Sequence, residues 1–268
     1  MALSDEIRQE RAKLKGKGFK AHWDYFWEYY KLPTAAVIFC VILAVSVIRS
    51  MVTAKDTGFS AIFINASSME LVGAGQGPIR EIEEEFAAAA GIDTSEYEVS
   101  IDPTVYLTPG FPGSQSDYAT IMKITTLISA RELDVIAADA YYFTYYAKNM
   151  TFHDLREVYT QEELDAFGDR VYYMDAKELE ARQAQLENPE YDEPWPTAEE
   201  AAAFEYEETF ELPDPADMED PVPYGLIISD AGMLQDYHLY NGTVCILGIV
   251  NNSERIEESR SYVSYLLK

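Results

Sequence analysis

The feature that most constrains this chain is a stretch without charge. From Leu32 to Ile48 the sequence reads LPTAAVIFCVILAVSVI, seventeen residues free of Asp, Glu, Lys and Arg. At about 1.5 Å of rise per helical residue the run spans roughly 25 Å, and Tyr29 and Tyr30 before it or Met51 and Val52 after it bring it close to the ~30 Å hydrocarbon core. Trp23, Tyr25, Phe26, Trp27, Tyr29 and Tyr30 cluster on its N-terminal side, where an interfacial aromatic belt belongs. Lys13, Lys15, Lys17 and Lys20 precede that cluster, and the positive-inside rule places them in the cytoplasm. The expectation is a cytoplasmic basic and aromatic segment over 1–31, a transmembrane helix over 32–52 in contact with the lipid bilayer, and an extracytoplasmic remainder in a cell membrane.

Three rival readings compete. A cleavable signal peptide would use Val52-Thr53-Ala54, but the apolar run exceeds the usual 7–15 residues and Arg49 interrupts the approach. A lipoprotein signal needs a small residue before its cysteine, and Phe39 precedes Cys40. A buried helix of a soluble domain is the third. A retained single-pass anchor fits the flanks best. Ahead of it, Ser4 or Asp5 can cap a short helix through Leu14, which Gly16 and Gly18 would break.

Charge divides the chain in the same place. Met1 to Lys31 carries seven Lys/Arg and five Asp/Glu, whereas the remainder carries thirteen against forty-two. A domain this acidic repels phosphate backbones and anionic headgroups, so nucleic acid is not an expected partner. Cys40 lies in the apolar run and Cys245 in a predicted strand, which makes an internal disulfide improbable. His22, His153 and His238 have no ligand spacing to one another or to a cysteine, so no metal or other cofactor is expected.

Beyond the anchor the pattern alternates. Phe59–Ala66 (FSAIFINA) reads as a strand, Pro78–Ala90 as a helix closed by Gly91, Tyr97–Ile101 as a second strand, and Asp117–Ala130 as a second helix. Leu133–Ala138 (LDVIAA) reads as a buried strand ending at Asp139, and Tyr141–Asn149 as the next helix. That order predicts a mostly parallel sheet with helices on its faces, a three-layer α/β domain. Tyr224–Ser229 and Val244–Val250 supply two later strands, and Glu254–Leu267 a closing helix. The domain is thus expected over 56–158 and 222–268, with 159–221 as an acidic insertion or loop. Glu187–Asp220 holds fourteen acids and no Lys or Arg, with Thr197–Tyr206 a candidate capped helix. A calcium site around Asp214, Asp217, Glu219 and Asp220 lacks EF-hand spacing, and a solvated acidic face explains the run as well.

LDVIAADAYYFTYYAKNMTFHDLREV, from Leu133 to Val158, resembles a stretch of bacterial type II extracellular solute-binding proteins in which a strand ends in Asp, a helix follows and the chain reaches an L-x-x-[VL] turn. CILGIVNNSERIEESRSYVSYLL is similar to their return strand, "NS" and C-terminal helix, and FKAHWDYFWEYYKLP resembles the aromatic lead-in of single-pass proteins from Gram-positive bacteria. The resemblance covers roughly 59–158 and 222–268. It implies one lobe of a fold that normally has two, because only residues 159–223 stand where the second lobe would be inserted.

No G-x-S-x-G, Walker loop or dinucleotide fingerprint occurs, and the Gly73-Ala74-Gly75-Gln76-Gly77 spacing fits neither phosphate motif. No catalytic residues are therefore expected. A ligand site in an α/β sheet belongs outside the carboxyl ends of its parallel strands. That rule selects Asn65, Ser67 and Ser68 after the first strand and Asp139, Tyr141 and Tyr142 after the third. In the bland alternative, Asp139 caps the following helix and the tyrosines pack on its surface. The expected role is a non-catalytic binding or interaction module for a small solute or a membrane-protein partner. A structural subunit of a membrane assembly, such as a transporter or sensor, is the alternative, and an exported hydrolase comes third.

Overall fold

A computed structural model describes residues 18, 20, 23, 26–27, 30–53, 55–66, 77–108, 114–186, 188 and 210–268. The chain divides into two compact units, Met1–Lys55 and Asp56–Lys268. The first contains helix α1, Lys31–Thr53. Its Lys31–Arg49 portion has a mean hydropathy of 2.3 and is not buried within the chain. It is long and apolar enough to cross a membrane, a property that anchors and signal sequences share. The short helix expected around Ser4 lies outside the described residues.

The second unit is a mixed α/β domain built on one six-stranded sheet. The strands are β1 (Asp56–Ile64), β2 (Tyr97–Val105), β3 (Val135–Asp139), β4 (Val171–Asp175), β5 (Pro221–Ile227) and β6 (Cys245–Ile249), in the order β2-β1-β3-β6-β5-β4. β1 pairs in parallel with β2 and β3, and the β3–β6, β6–β5 and β5–β4 pairs are antiparallel. β1, β2, β3 and β5 consequently run one way, and β4 and β6 run the other. The main helices are α2 (Gly77–Ala90), α3 (Gln115–Ser129), α4 (Ala140–Lys148), α5 (Leu155–Val158), α6 (Gln161–Phe167), α7 (Ala176–Leu186), α8 (Gly232–Asp236) and α9 (Ile256–Leu266).

The strands are apolar on both faces because both faces are covered. Phe59, Ala61 and Phe63 of β1, with Leu247 and Ile249 of β6, join a core with Phe86 of α2 and Tyr262 and Leu266 of α9. Ile62 and Ile64, with Ile136 and Ile246, join the opposite core with Ile124 of α3 and Phe143 and Tyr146 of α4. In the first core the rings of Phe59, Phe86 and Tyr262 meet with centroids 4.8 Å apart. Each such aromatic pair adds about 0.5–1.5 kcal/mol beyond the area it buries.

Capping sets the helix starts. The Ser114 hydroxyl accepts from the Asp117 amide and the Asp117 carboxylate accepts from the Ser114 amide, a reciprocal pair that opens α3. Thr160 and Glu163 do the same for α6, and Asp139 caps α4. Within β5 only Leu226 and Ile227 pair with β6, so Pro221 and Pro223 stand where the β6-facing side of β5 needs no amide donor.

The stretch 159–221, read from sequence as an acidic insertion or loop, contributes to the sheet. Its residues Val171–Asp175 (VYYMD) form β4, with Val171 and Tyr172 buried. A five-residue strand between acid-rich flanks leaves too little alternation to stand out from its surroundings. The candidate helix at Thr197–Tyr206 lies outside the described residues.

Candidate functional site

The carboxyl ends of β1, β2 and β3 meet where the sheet rule places a site. Asn65 follows β1 with φ +61°, a left-handed conformation that asparagine adopts more readily than most residues. From there it ties three strands together. Its amide N–H donates to Val105 O (2.9 Å), its Oδ1 accepts from the Leu107 amide (2.9 Å), and its Nδ2 donates to Asp139 Oδ2 (2.7 Å). Asp139, 4% exposed, accepts from the Tyr142 amide at Oδ1 (2.8 Å). The Tyr142 hydroxyl donates to Thr108 O (2.5 Å), and the Thr108 amide and hydroxyl donate to Asp117 Oδ1 (3.1 and 3.2 Å). The Tyr141 ring stands edge-on to Tyr142 at 4.9 Å.

The first-strand and third-strand candidates therefore come together, but as a seal. Asn65, Asp139, Tyr142, Thr108 and Asp117 direct their polar atoms at one another or at nearby backbone. Asp139 caps α4, and Tyr141 and Tyr142 are buried, as in the bland alternative. Tyr240 closes the same end from the other face, donating its hydroxyl to Ile64 O (2.7 Å) and Ala137 O (3.2 Å). Burial pushes the Tyr142 and Tyr240 hydroxyls far above the usual tyrosine range, and nearby Tyr141 and Asp139 add to the effect on Tyr142. Cys245, opposite Asp139 in the β3–β6 register, is likewise pushed up by burial, which keeps its thiol protonated and inert. Ser67 and Ser68, the remaining candidates, lie outside the described residues, as does most of the glycine-rich segment at 73–77.

A concave surface exists elsewhere, on the β1–β2 side of the sheet beneath α3. It is a half-open groove of about 210 Å³. Thr57, Ser60 and Ile62 of β1 and Glu98, Ser100 and Asp102 of β2 form its floor, with Lys123 and Leu127 of α3 and Glu132 around them. Register pairs Thr57 with Glu98, Ser60 with Ser100, and Ile62 with Asp102, so the two serines lie side by side. Gly58 sits in the register shift at the end of this floor, where a Cβ would come within 2.8 Å of Tyr97 Cβ. Lys123 Nζ meets Asp102 Oδ2 at 2.8 Å. Burial raises the Asp102 carboxyl, but hydrogen bonds from Lys123 and Thr104 outweigh it and hold the group below the ordinary aspartate range. Glu98 and Glu132 form no ion pair among the described residues. Among the described residues no group of three or more His, Cys, Asp or Glu side chains could hold a metal ion. At the acidic candidate, Asp214 caps a 3-10 turn over Pro215–Asp217, and the amides of Glu219 and Asp220 donate to Asp175.

A second buried polar cluster escaped the sequence reading. Asp134, fully buried at the start of β3, receives Arg255 Nε at both carboxylate oxygens (3.0 and 2.9 Å), the Ser253 hydroxyl (2.5 Å) and the Ser60 amide (2.8 Å). Arg255 Nη2 also donates to Arg131 O (2.6 Å), and Asn252 Nδ2 to Ile128 O (2.7 Å). The Asn252-Ser253 pair after the return strand is thus half of a clamp that fastens the C-terminal segment to the amino end of β3. The signal was present: an aspartate inside the apolar run LDVIAA requires a partner once buried. Comparison with protein-family models, with curated proteins and with solved structures found no match for the chain.

Proposed function

We propose that this chain is a membrane-anchored, extracytoplasmic binding module without catalytic activity. One observation carries the reading: among the described residues, Asn65, Asp139 and Tyr142 at the carboxyl ends of the strands are bonded inward, whereas the groove under α3 keeps hydroxyls and carboxylates turned to solvent. Groups bonded inward in this way are held in place and are not set to move a proton or attack a substrate. The unburied apolar helix and its lysine-rich lead-in support a retained anchor with the N-terminus inside. The reading takes the domain as a single lobe of solute-binding type, in keeping with β4 joining the same sheet instead of starting another.

Two measurements test this function. Protease added to intact cells should digest the domain and spare the first ~30 residues; protection of the domain refutes the orientation, and a mature chain beginning near Lys55 refutes the anchor. A thermal-shift screen of the full chain against amino acids, amines, sugars and peptides should return a stabilising ligand. A second reading, an accessory subunit of a membrane assembly, draws on Tyr118 and Met122, exposed one turn apart on α3 (57% and 63%). On that reading Met122→Glu abolishes crosslinking to a membrane partner.

A further inference from the structure

We propose that the groove between the β1–β2 floor and α3 binds a small organic amine, with Glu98 and Glu132 meeting its cationic nitrogens and Ser60 and Ser100 hydrogen-bonding to it. This inference rests on the binding-module reading and names the ligand class.

The charge balance points to a cation. The groove holds three carboxylates and one ammonium, and Lys123 is engaged with Asp102 at 2.8 Å. That pairing leaves Glu98 and Glu132 without a counter-charge among the described residues. An anionic ligand would meet net repulsion. A divalent metal is disfavoured because no three ligating side chains stand close enough together among the described residues. An organic amine needs no such convergence, since each N–H bonds separately.

The floor supplies the independent observation. Ser60 is 7% exposed and lines the groove, yet its hydroxyl has no hydrogen-bond partner among the described residues, although its backbone amide is held by Asp134. The residue is buried while its hydroxyl faces the groove, so water or a ligand completes that hydroxyl. Ser100, its half-buried register partner, lies beside it on the same floor. A hydroxyl accepts from an ammonium, and Ile62 and Leu127 offer apolar surface to the carbons between two nitrogens. The cavity equals roughly seven water volumes, the scale of a short diamine and too small for a peptide.

The test is calorimetric titration of the full chain in detergent micelles with 1,4-diaminobutane at physiological salt, with butane-1,4-diol as the uncharged analogue. Saturable one-to-one binding is expected for the diamine and none for the diol. Glu98→Gln and Glu132→Gln should each weaken binding about tenfold, the loss of one charge-assisted hydrogen bond, and Ser60→Ala about threefold. Glu178→Gln, an exposed acid on α7, should leave binding unchanged. Absence of saturable binding, equal binding of the diol, or equal weakening by Glu178→Gln overturns the proposal. If the diamine fails while another compound stabilises the chain, the ligand class falls and the binding module stands. A domain found inside the cell refutes the module itself.

Discussion

Arg255→Met should be the most damaging single substitution on the surface of this domain. The Arg255 side chain is 18% exposed, but the carboxylate it serves is completely buried. Removing it leaves Asp134 with the Ser253 hydroxyl and the Ser60 amide and without a counter-charge. Orphaning one member of a buried ion pair costs about 3–5 kcal/mol. Water can reach the partly exposed arginine site, which places the loss near the lower bound, about 3 kcal/mol. For a domain of this length each kcal/mol lowers Tm by about 2–4 °C, so the drop should be about 6–12 °C. Asp134→Leu also leaves the Ser60 amide unpaired, at about 1–3 kcal/mol beyond the stranded guanidinium. The double variant Asp134→Leu/Arg255→Met strands no charge, so its loss should fall at least 2 kcal/mol short of the sum of the single losses. Urea denaturation of all four proteins, with unchanged m-values, measures that coupling. A loss below 1 kcal/mol for Arg255→Met, or additivity within about 0.5 kcal/mol, refutes the clamp.

Four further outcomes can be checked. Gly248→Ala should destabilise the domain by about 1–3 kcal/mol in urea melts, because a Cβ there would lie 2.5 Å from the ring of Phe152, itself stacked on Phe143 at 4.7 Å. Ile246→Asp and Ile249→Asp should each abolish cooperative unfolding by circular dichroism, since both side chains are fully buried and they face opposite cores. The Ser114 hydroxyl, with backbone and Thr108 bonds, outweighs burial and holds the Asp117 carboxyl below its ordinary value. A depressed native pKa gives stability that is present above the unfolded value near 4 and is lost as pH falls through the native one. Acid titration of Asp117→Asn should therefore show a shallower loss below about pH 4, and Ser114→Ala should cost about 1 kcal/mol at neutral pH.

Most of the architecture could be read from periodicity, because long elements repeat their signal. β1, α2, α3, β3, α4, β6 and α9 fall within a few residues of expectation, since each carries either an unbroken apolar run or a clear helical stripe. β4 did not, because VYYMD is too short to declare itself. Nor did the reversal of β6 relative to β3: an apolar run shows that a strand is covered on both faces, but not which way it points. The candidate site follows the same logic. Asn65, Asp139 and Tyr142 could be chosen from strand ends, yet whether their polar atoms face a ligand or one another depends on partners at Thr108 and Leu107, about forty residues from Asn65. The groove was invisible for a related reason. Ser60 and Ser100 are ordinary strand residues until parallel pairing sets them side by side.

The outer edge of β2 has a consequence for life at high density. Glu83 on α2 reaches across and accepts from the Ile101 amide at 2.8 Å, and Asp102 accepts from the Thr104 amide at 3.0 Å. An edge strand with these two donors already engaged, and whose sequence carries Pro103, is a poorer template for a neighbour's strand. Crowding multiplies encounters between identical edges, and these two carboxylates act as chaperones in cis: they guard the β2 rim of the sheet against a strand from the next molecule.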